Sequence, residues 1–357
     1  MTTNETELIE LLLHLAFTPN QAAHFVAAAE CLTPAERERW LSLADSHHVV
    51  LRSLQPLRDA IPEANSELAK WLETSLCAEQ KRIAEALPYL SAICDELERA
   101  GCPTVCMKSL DHWPDLGNDL DLYTTGDQAI VHQVMKAKFG AEPEAPSWGD
   151  RLSQKSNFAV PGLKELVEVH VQRLGQTGEH TSLARRIVSR RVRLELGGAA
   201  FWVPAPEQRI IISTLQRMYR HFYARACDLV NTAQLVGSGV VDYDELQRSS
   251  QEGGIWAGVA TFLTIVSDYE ARYRGVGLDL PRRVTIAARF GASQVTSKNR
   301  FLRIPMFPEG AELYTFQLAR TAWQGEASAA FRLSLFPGLA SVAALAAKIT
   351  GSDKGIW

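Results

Sequence analysis

The sequence has no apolar run long enough to cross a lipid bilayer, which takes about 20 residues. The run from Leu8 to Phe17 is interrupted by Glu10 and His14, and no basic cluster of the kind that opens a secretion signal precedes it. No later segment reaches the required length without a charge. We therefore expect a cytoplasmic protein with no membrane partner.

Closely paired cysteines are also missing. Six cysteines are spread over 357 residues, and the nearest two, Cys102 and Cys106, have three residues between them. Zinc sites and redox motifs use a tighter spacing, usually with a second pair of cysteines or histidines. We expect buried free thiols with no disulfide partner, in a reducing compartment.

Neither sign of charge dominates the chain. Lysine and arginine together number 37, aspartate and glutamate 41, and the net charge is −4. The molecule as a whole is therefore not a polyanion binder, and any phosphate or nucleic-acid site has to be a local basic patch. A hydrophobic fraction of 46% supplies a sizeable core, and the length suggests two domains or one domain with a helical extension.

What the sequence does contain is helical periodicity through its first hundred residues. Thr33-Pro34 has the form of an N-cap followed by proline at the first helical position. The pattern continues from Ala84 to Arg99 and stops at Gly101, a residue typical of helix ends. We divide the chain into an N-terminal helical arm (1–86), a core (87–204) and a C-terminal helical region (205–357).

Short strands replace the helical pattern after Pro103. We expect strands at 104–107 and 120–124 with a turn-rich loop at 111–118, a helix at 127–139, and hairpins at 157–171 and 193–203. Helices are expected again at 206–223, 227–236, 243–250 and 256–274, with a partly helical segment at 329–349. These patterns predict an α+β fold, a small mixed sheet flanked by two helical regions.

The residues with the clearest chemical meaning lie on the second expected strand. Successive side chains of a strand point to opposite faces, so Asp119 and Asp121 share one face while Leu120 turns into the core. Two converging carboxylates repel each other unless a hard cation lies between them, and magnesium prefers such oxygen ligands together with substrate phosphates. Glu168, on a later alternating strand, can complete a two-metal site for displacement at phosphorus.

These residues resemble the DNA polymerase β-like nucleotidyltransferase superfamily, and more narrowly a bacterial group described as nucleotidyltransferase family proteins. The corresponding positions are Lys108-Ser109, Asp119-Leu120-Asp121, Glu168-Val169-His170 and Arg225-Ala226-Cys227-Asp228, within a resemblance that covers residues 87–274. One departure is clear, because the superfamily's Gly-Ser pair is Lys108-Ser109 here.

The resemblance implies a polymerase β-like core that binds a nucleoside triphosphate with two Mg²⁺ ions. The nucleoside monophosphate would pass to an acceptor (a small molecule, a protein or RNA) with release of pyrophosphate. Asp119, Asp121 and Glu168 would be the metal ligands and catalytic residues. The residues expected to bind the nucleotide are Lys108, Ser109, His170, Arg217 and Arg220.

Other interpretations stay open. Lysine in place of glycine favours a catalytically degenerate module of the same fold that binds a nucleotide or a partner. The arginines of residues 185–193 favour a toxin-like transferase acting on RNA or protein, while a solvated helix face explains them equally well. Asp119 and Asp121 also fit a solvated strand edge, and His170 a structural histidine. We expect Asp228 to pair with a nearby arginine.

Overall fold

The computed structural model describes residues 4–62, 66–175, 177–335 and 337–338. Among these residues no helix is both long enough and apolar enough to cross a membrane. Of the helical segment expected at 329–349, the part from residue 339 onward lies outside the described residues.

Within the first hundred residues the described segments are mainly helical, as the periodicity predicts. Five α-helices follow one another: α1 (Glu5–Phe17), α2 (Val26–Glu30), α3 (Pro34–Ser46), α4 (Val50–Asp59) and α5 (Glu67–Arg99), with a 3₁₀ helix at Pro19–Phe25. The predicted cap of α3 is present, since the Thr33 hydroxyl accepts the backbone N–H of Glu36 and the Glu36 carboxylate accepts the N–H of Thr33. Helix α5 runs unbroken through residues 86 and 87, so the arm and the core share it.

A five-stranded mixed sheet forms the core. Its strands are β1 (Thr104–Cys106), β2 (Asp119–Thr124), β3 (Glu142–Pro143), β4 (Lys155–Ala159) and β5 (Leu166–Val171), in the spatial order β1-β2-β5-β4-β3. Strands β2 and β5 are parallel, and the other neighbours are antiparallel. In the parallel pair Asp121 lies opposite Glu168 and Tyr123 opposite His170. Opposed residues of neighbouring strands share a face, so this register brings Asp121 and Glu168 side by side.

Helices and a hairpin surround this sheet. They are α6 (Gln128–Phe139), α7 (Trp148–Ser153), α8 (Ser182–Ser189) and the predicted hairpin of β6 (Val192–Leu196) and β7 (Ala199–Val203). A 3₁₀ helix at Ser109–His112 occupies part of the loop between β1 and β2. The predicted hairpin of β4 and β5 and the predicted helix α6 are confirmed.

The C-terminal region is helical only in part. Its α-helices are α9 (Pro206–Thr214), α10 (Ala226–Gly237), α11 (Tyr243–Glu252), α12 (Trp256–Arg274), α13 (Arg282–Ala287), α14 (Ala311–Trp323) and α15 (Ala327–Ser334). The expected helix at 206–223 is interrupted, because α9 passes into a π-helix at Leu215–His221 and then into strand β8 (Tyr223–Ala224). Strand β8 joins β9 (Thr296–Lys298) and β10 (Phe301–Arg303) in a second sheet that the sequence patterns do not indicate, because such short strands carry no periodicity.

The N-terminal arm packs against the C-terminal helices and does not project from the molecule. The rings of Phe17 and Tyr273 stack with their centroids 5.1 Å apart, and the Tyr273 hydroxyl donates to the carboxylate of Glu10 at 2.7 Å. Leu12 of the arm and Phe262 of α12 belong to one continuous hydrophobic core. Folding of the arm and of the C-terminal region is therefore coupled.

Candidate active site

A compact group of charged side chains lies where β2 and β5 run side by side. Ligand atoms of Asp121, Glu168 and His170, which we call the acidic centre, lie within 4.8 Å of one another. The Nε2 atom of His170 is 2.6 Å from Oε1 of Glu168. Only 5% of His170 is exposed, and its Nδ1 atom has no hydrogen-bond partner among the described residues. Two carboxylates and an imidazole therefore converge in a largely buried position.

Asp119 is on the same strand but outside this group. It is the exposed first residue of β2 and lies opposite Leu166, so no carboxylate stands beside it in the register. The charge of Glu168 nevertheless acts on it. Partial burial of the Asp119 carboxyl, and after that the charge of Glu168, raise the pKa of Asp119. Of the two aspartates expected to aim at one point, Asp121 is the one that the strand pairing brings to Glu168.

Two ammonium groups contact the acidic centre. The Nζ atom of Lys108 forms an ion pair with Asp121 and lies 4.0 Å from Oε1 of Glu168. Lys155 of β4 lies 2.9 Å from Oε2 of Glu168 and 3.0 Å from Oδ1 of Asp150. The side chains of Lys108, Asp121, Lys155 and Glu168 are between 11% and 14% exposed, so these charges balance one another largely out of contact with water.

The pKa values of the two carboxyl groups move in opposite directions. Burial, reinforced by the charge of Glu168 and only partly offset by Lys108, raises the pKa of Asp121 to about 7. Burial acts on Glu168 in the same sense, but the hydrogen bond from His170 and the charges of Lys108 and Lys155 outweigh it and hold the pKa of Glu168 well below its usual range. Ionisation of Asp121 beside the charged Glu168 is therefore favoured only by a cation close to Asp121, such as the ammonium of Lys108.

The imidazole of His170 is oriented by this arrangement. Burial lowers the pKa of His170 despite the neighbouring carboxylate, which favours the neutral ring. A neutral ring bonded to a carboxylate through Nε2 donates its proton there, so Nδ1 carries a lone pair. His170 therefore presents an acceptor, and the expected contact of this residue with a nucleotide stays a prediction.

Lys108 adopts a backbone conformation that suits glycine. Its φ is 56° and its ψ −58°, and the N–H of Ser109 donates to the carbonyl of Met107 across it. This is a γ-turn, which is rare because it is strained. A side chain in such a conformation costs about 1–3 kcal/mol. Lysine therefore occupies a turn that glycine would form without this cost.

Hydrogen bonds to β2 hold the turn in position. The buried hydroxyl of Ser109 donates to the carbonyl of Asp119 at 3.0 Å and accepts the N–H of Asp121 at 2.9 Å. The N–H of Met107 donates to the carbonyl of Asp121 at 2.8 Å. A hydroxyl has a single proton to donate, so the expected contact of Ser109 with a phosphate oxygen requires its bond to the Asp119 carbonyl to break. The same bonds aim the side chain of Lys108 at Asp121.

A narrow cavity opens beside Lys108 and His170. Its apolar and aromatic lining comes from the segments that follow β1 and β5, from α9, the π-helix, α14 and α15, and includes Met107, Leu174, Ile212, Tyr219, Tyr314 and Leu333. Arg220, half-buried, also lines it, and its Nε atom has no hydrogen-bond partner among the described residues. The cavity volume is ≈ 50 Å³, below the roughly 300–1,000 Å³ of ordinary ligand pockets. A nucleotide therefore enters only if the walls move apart.

Most other arginines singled out in the sequence are paired inside the protein. Arg217 is buried, and its Nε atom lies 2.7 Å from Oδ2 of Asp228, which confirms the expected partner of Asp228. The expected contact of Arg217 with a nucleotide stays a prediction, and it would have to compete with this pair. In the stretch 185–193, Arg186 contacts Glu245 and Glu252, Arg190 contacts Glu207 and Glu245, Arg191 contacts Glu98, and Arg193 lies over the ring of Trp202. Arg185 and Arg193 are exposed and have no acidic partner among the described residues, so the stretch is paired inside the protein only in part.

Sequence reasoning missed Lys155 and Asp150. Lys155 lies opposite His170 in the β4–β5 hairpin, two residues before the strand expected from residue 157. If the predicted strand is extended by two residues, Lys155 lies on the same face of the sheet as Glu168 and His170. The alternation of the hairpin could therefore have predicted this lysine. Asp150 caps its own helix with Ser147 and reaches Lys155 only through the tertiary fold.

The N-terminal arm fixes the loop that leads to β2. The carboxylate of Asp115 accepts the backbone N–H groups of Leu51 at 2.7 Å and Arg52 at 3.0 Å, in the first turn of α4. The guanidinium of Arg52 donates in return to the carbonyl of Trp113 at 2.7 Å. His112 is buried, with its ring 5.0 Å from that of His48. The arm thus supports the backbone between Lys108 and Asp119.

Comparison with known proteins leaves the family open. No protein-family model matches the sequence, and no curated protein matches it. One solved structure that the chain resembles is the crystal structure of an antigenic nucleotidyltransferase-like protein from Paracoccidioides brasiliensis, with 17% identity over 47% of this chain and 86% of that chain and a TM-score of 0.32. A likeness of this strength carries no argument about function, which has to be inferred from the site itself.

Proposed function

We propose that this protein is a nucleotidyltransferase that moves a nucleoside monophosphate from a nucleoside triphosphate to an acceptor and releases pyrophosphate. One observation carries the proposal: the parallel register of β2 and β5 sets Asp121 beside Glu168, next to a cavity lined by Lys108, His170 and Arg220. Paired acids with cations on the adjoining wall are the elements that phosphoryl transfer needs.

The donor set is compatible with a divalent cation. Asp121 and Glu168 offer carboxylate oxygens within 4.8 Å of each other, and burial, followed by the charge of Glu168, raises the pKa of Asp121, which a cation bound there would lower. We propose Mg²⁺ as the cofactor, two ions in the full complex, with Asp119 joining the two carboxylates as a ligand. The metal, when bound, neutralises charge on the triphosphate and on the oxygens at phosphorus.

The reaction itself exchanges one bond to phosphorus for another. An acceptor hydroxyl oxygen bonds to the α-phosphorus, the bond from that phosphorus to the bridging oxygen breaks, pyrophosphate leaves, and the hydroxyl proton passes to water. Lys108 and Arg220, on the cavity side, attract the triphosphate oxygens and orient them. Catalysis of this type consists mainly of positioning and charge neutralisation.

A degenerate binding module of the same fold is the second candidate. Its support is that Lys108 and Lys155 already neutralise the acidic centre, and that the cavity is narrow. The toxin-like transferase acting on RNA or protein has less support from the sequence than the basic stretch suggests, because Arg186, Arg190 and Arg191 contact acids of the protein itself. Arg185 and Arg193 have no acidic partner among the described residues and stay available to an RNA or protein acceptor.

Transfer of label separates the two candidates. The purified protein is incubated with each of the four α-³²P-labelled nucleoside triphosphates, magnesium and a cell lysate, beside an Asp119→Asn/Asp121→Asn double variant. Label that reaches a protein, RNA or small molecule only with the unchanged protein supports the transferase and identifies the acceptor class. Nucleotide binding without transfer favours the binding module, and absence of both contradicts the proposal.

A further inference from the structure

The acidic centre already contains a cation of the protein's own. The ammonium of Lys108 contacts Asp121 and lies 4.0 Å from Glu168, and these are the two carboxylates whose oxygens converge with His170. An ammonium in that position shields the same oxygens that a divalent ion would need. The ammonium and a divalent ion therefore compete, because a carboxylate oxygen that is engaged by the ammonium is less available as a metal ligand.

We propose that Lys108 is the resident counter-ion of the acidic centre and competes with a divalent metal ion for Asp121 and Glu168. The proposal rests on the proposed function only in treating the centre as a metal site. It assigns Lys108 a role before any phosphate contact, which is to keep the centre charge-balanced and its affinity for metal alone low. Metal binding then requires the ammonium to leave.

The surroundings of Lys108 allow this departure. The side chain borders the cavity beside His170 and also a second cavity on its other side, which Asp111 and Asp228 line. Both acids offer carboxylate oxygens to the ammonium there, each shared with an arginine: Arg209 lies 2.7 Å from Asp111, and Arg217 lies 2.7 Å from Asp228. A flexible four-carbon stem anchored in a fixed γ-turn can thus carry the ammonium away without movement of the backbone.

Lys155 provides an internal comparison. It contacts the other oxygen of Glu168 and also Asp150, at 2.9 and 3.0 Å, and no contact joins it to Asp121. It therefore lies at the rim of the centre, where its two carboxylate partners hold it in place. Its charge is present whether or not a metal binds, so its removal strengthens metal binding only through the general increase in negative charge.

The donor set suits Mn²⁺ as a probe. An imidazole nitrogen beside two carboxylates is a mixed set that first-row transition ions accept more readily than magnesium does. Mn²⁺ alone, without nucleotide, reports directly on the competition. The concentration of free Mn²⁺ is measured by electron paramagnetic resonance while the ion is titrated into the full-length protein.

The variants Lys108→Met and Lys155→Met are compared with the unchanged protein, with Lys108→Arg as a charge-retaining variant. We expect Lys108→Met to bind Mn²⁺ at least about tenfold more tightly than the unchanged protein. Lys155→Met should gain less than about threefold, and Lys108→Arg should gain nothing. Adding Asp121→Asn to Lys108→Met should remove the gain. Lys108→Gly, which relieves the positive φ, replaces Lys108→Met if that variant does not fold.

Each result has a definite meaning. Equal affinity of Lys108→Met and the unchanged protein, or an equal gain in Lys155→Met, overturns the competition. A gain confined to Lys108→Met supports it even if label transfer from nucleoside triphosphates is never seen, so failure of the proposed function can be told apart from failure of this inference.

Discussion

Two buried polar clusters border the loop between β1 and β2, and they differ in what their members bond to. In the acidic centre, side chains bond to side chains, and the partners are long and flexible lysines. In the second cluster, which we call the histidine network (His47, His48, Arg52, His112 and Asp115), most bonds reach the backbone. Nδ1 of His47 accepts the N–H of Ala226 at 2.8 Å, for example, and its Nε2 donates to the carbonyl of Arg300 at 2.7 Å.

The difference separates structural from exchangeable polar groups. A side chain that satisfies a buried backbone group cannot leave without stranding that group, at a cost of about 1–3 kcal/mol. A lysine that pairs with a carboxylate can be replaced by another cation, because the carboxylate then still has a counter-ion and no backbone group loses its partner. The histidine network therefore fixes the arm, the loop and α10 together, while the acidic centre remains open to a ligand. The variants below test this division.

The largest expected effect is on activity. Asp121→Asn removes a charged oxygen from the acidic centre, and we expect label transfer to fall by about 100- to 1,000-fold or more. Asp150→Asn is the matched control, since Asp150 also contacts a lysine of the site, Lys155, but lies outside the converging donors. It should cost less than about tenfold. Equal losses in the two variants would show that only the summed negative charge matters.

The histidine network predicts acid instability. Burial lowers the pKa of His47 from 6.5 to about 4. In the folded protein Nδ1 also accepts the N–H of Ala226, a bond that a proton on Nδ1 would break. As the pH drops, the unfolded chain therefore takes up this proton before the folded protein does. The free energy of unfolding falls between about pH 6.5 and pH 4, by roughly 3 kcal/mol for this residue.

The contribution of His47 is isolated by comparison with a variant. Burial raises the pKa of Asp115 to about 6, which opposes the histidine because this carboxyl favours the folded state as the pH falls. Urea unfolding is measured for the protein and for His47→Gln at pH 7.5, 6, 5 and 4.5. Because Asp115 is present in both proteins, its contribution cancels in the difference between their unfolding free energies. The difference in unfolding free energy between the two proteins should shrink as the pH falls. A constant difference would contradict the assignment.

Loss of the Asp115 carboxylate tests the same network without a change of pH. Asp115→Ala leaves two buried N–H groups of α4 without acceptors, and we expect a loss of about 2 kcal/mol in urea unfolding. Asp127→Ala is the control, because Asp127 caps α6 at an exposed position. That cap should contribute about 1 kcal/mol or less. Similar costs at the two positions would mean that the arm does not support the loop.

These clusters also show what the sequence can predict. The alternation of β2 and β5 and the cap at Thr33 are local patterns, so the acids and the helix start could be read directly. The choice between Asp119 and Asp121 depends on which strand lies beside β2, which is a non-local property. The γ-turn at Lys108 opposes the preference of its own residue, and β8 pairs with β10 across nearly eighty residues. No local pattern indicates either feature.

The smallest expected effect concerns the turn itself. Lys108→Gly and Lys108→Met both remove the ammonium and leave Asp121 and Glu168 unbalanced, but only glycine relieves the φ of 56°. Glycine also gains freedom in the unfolded chain, which offsets part of the relief. We therefore expect Lys108→Gly to exceed Lys108→Met in stability by about 1 kcal/mol in urea unfolding. Equal stabilities would mean that the strain relieved at this turn is no larger than the entropic cost of glycine in the unfolded chain.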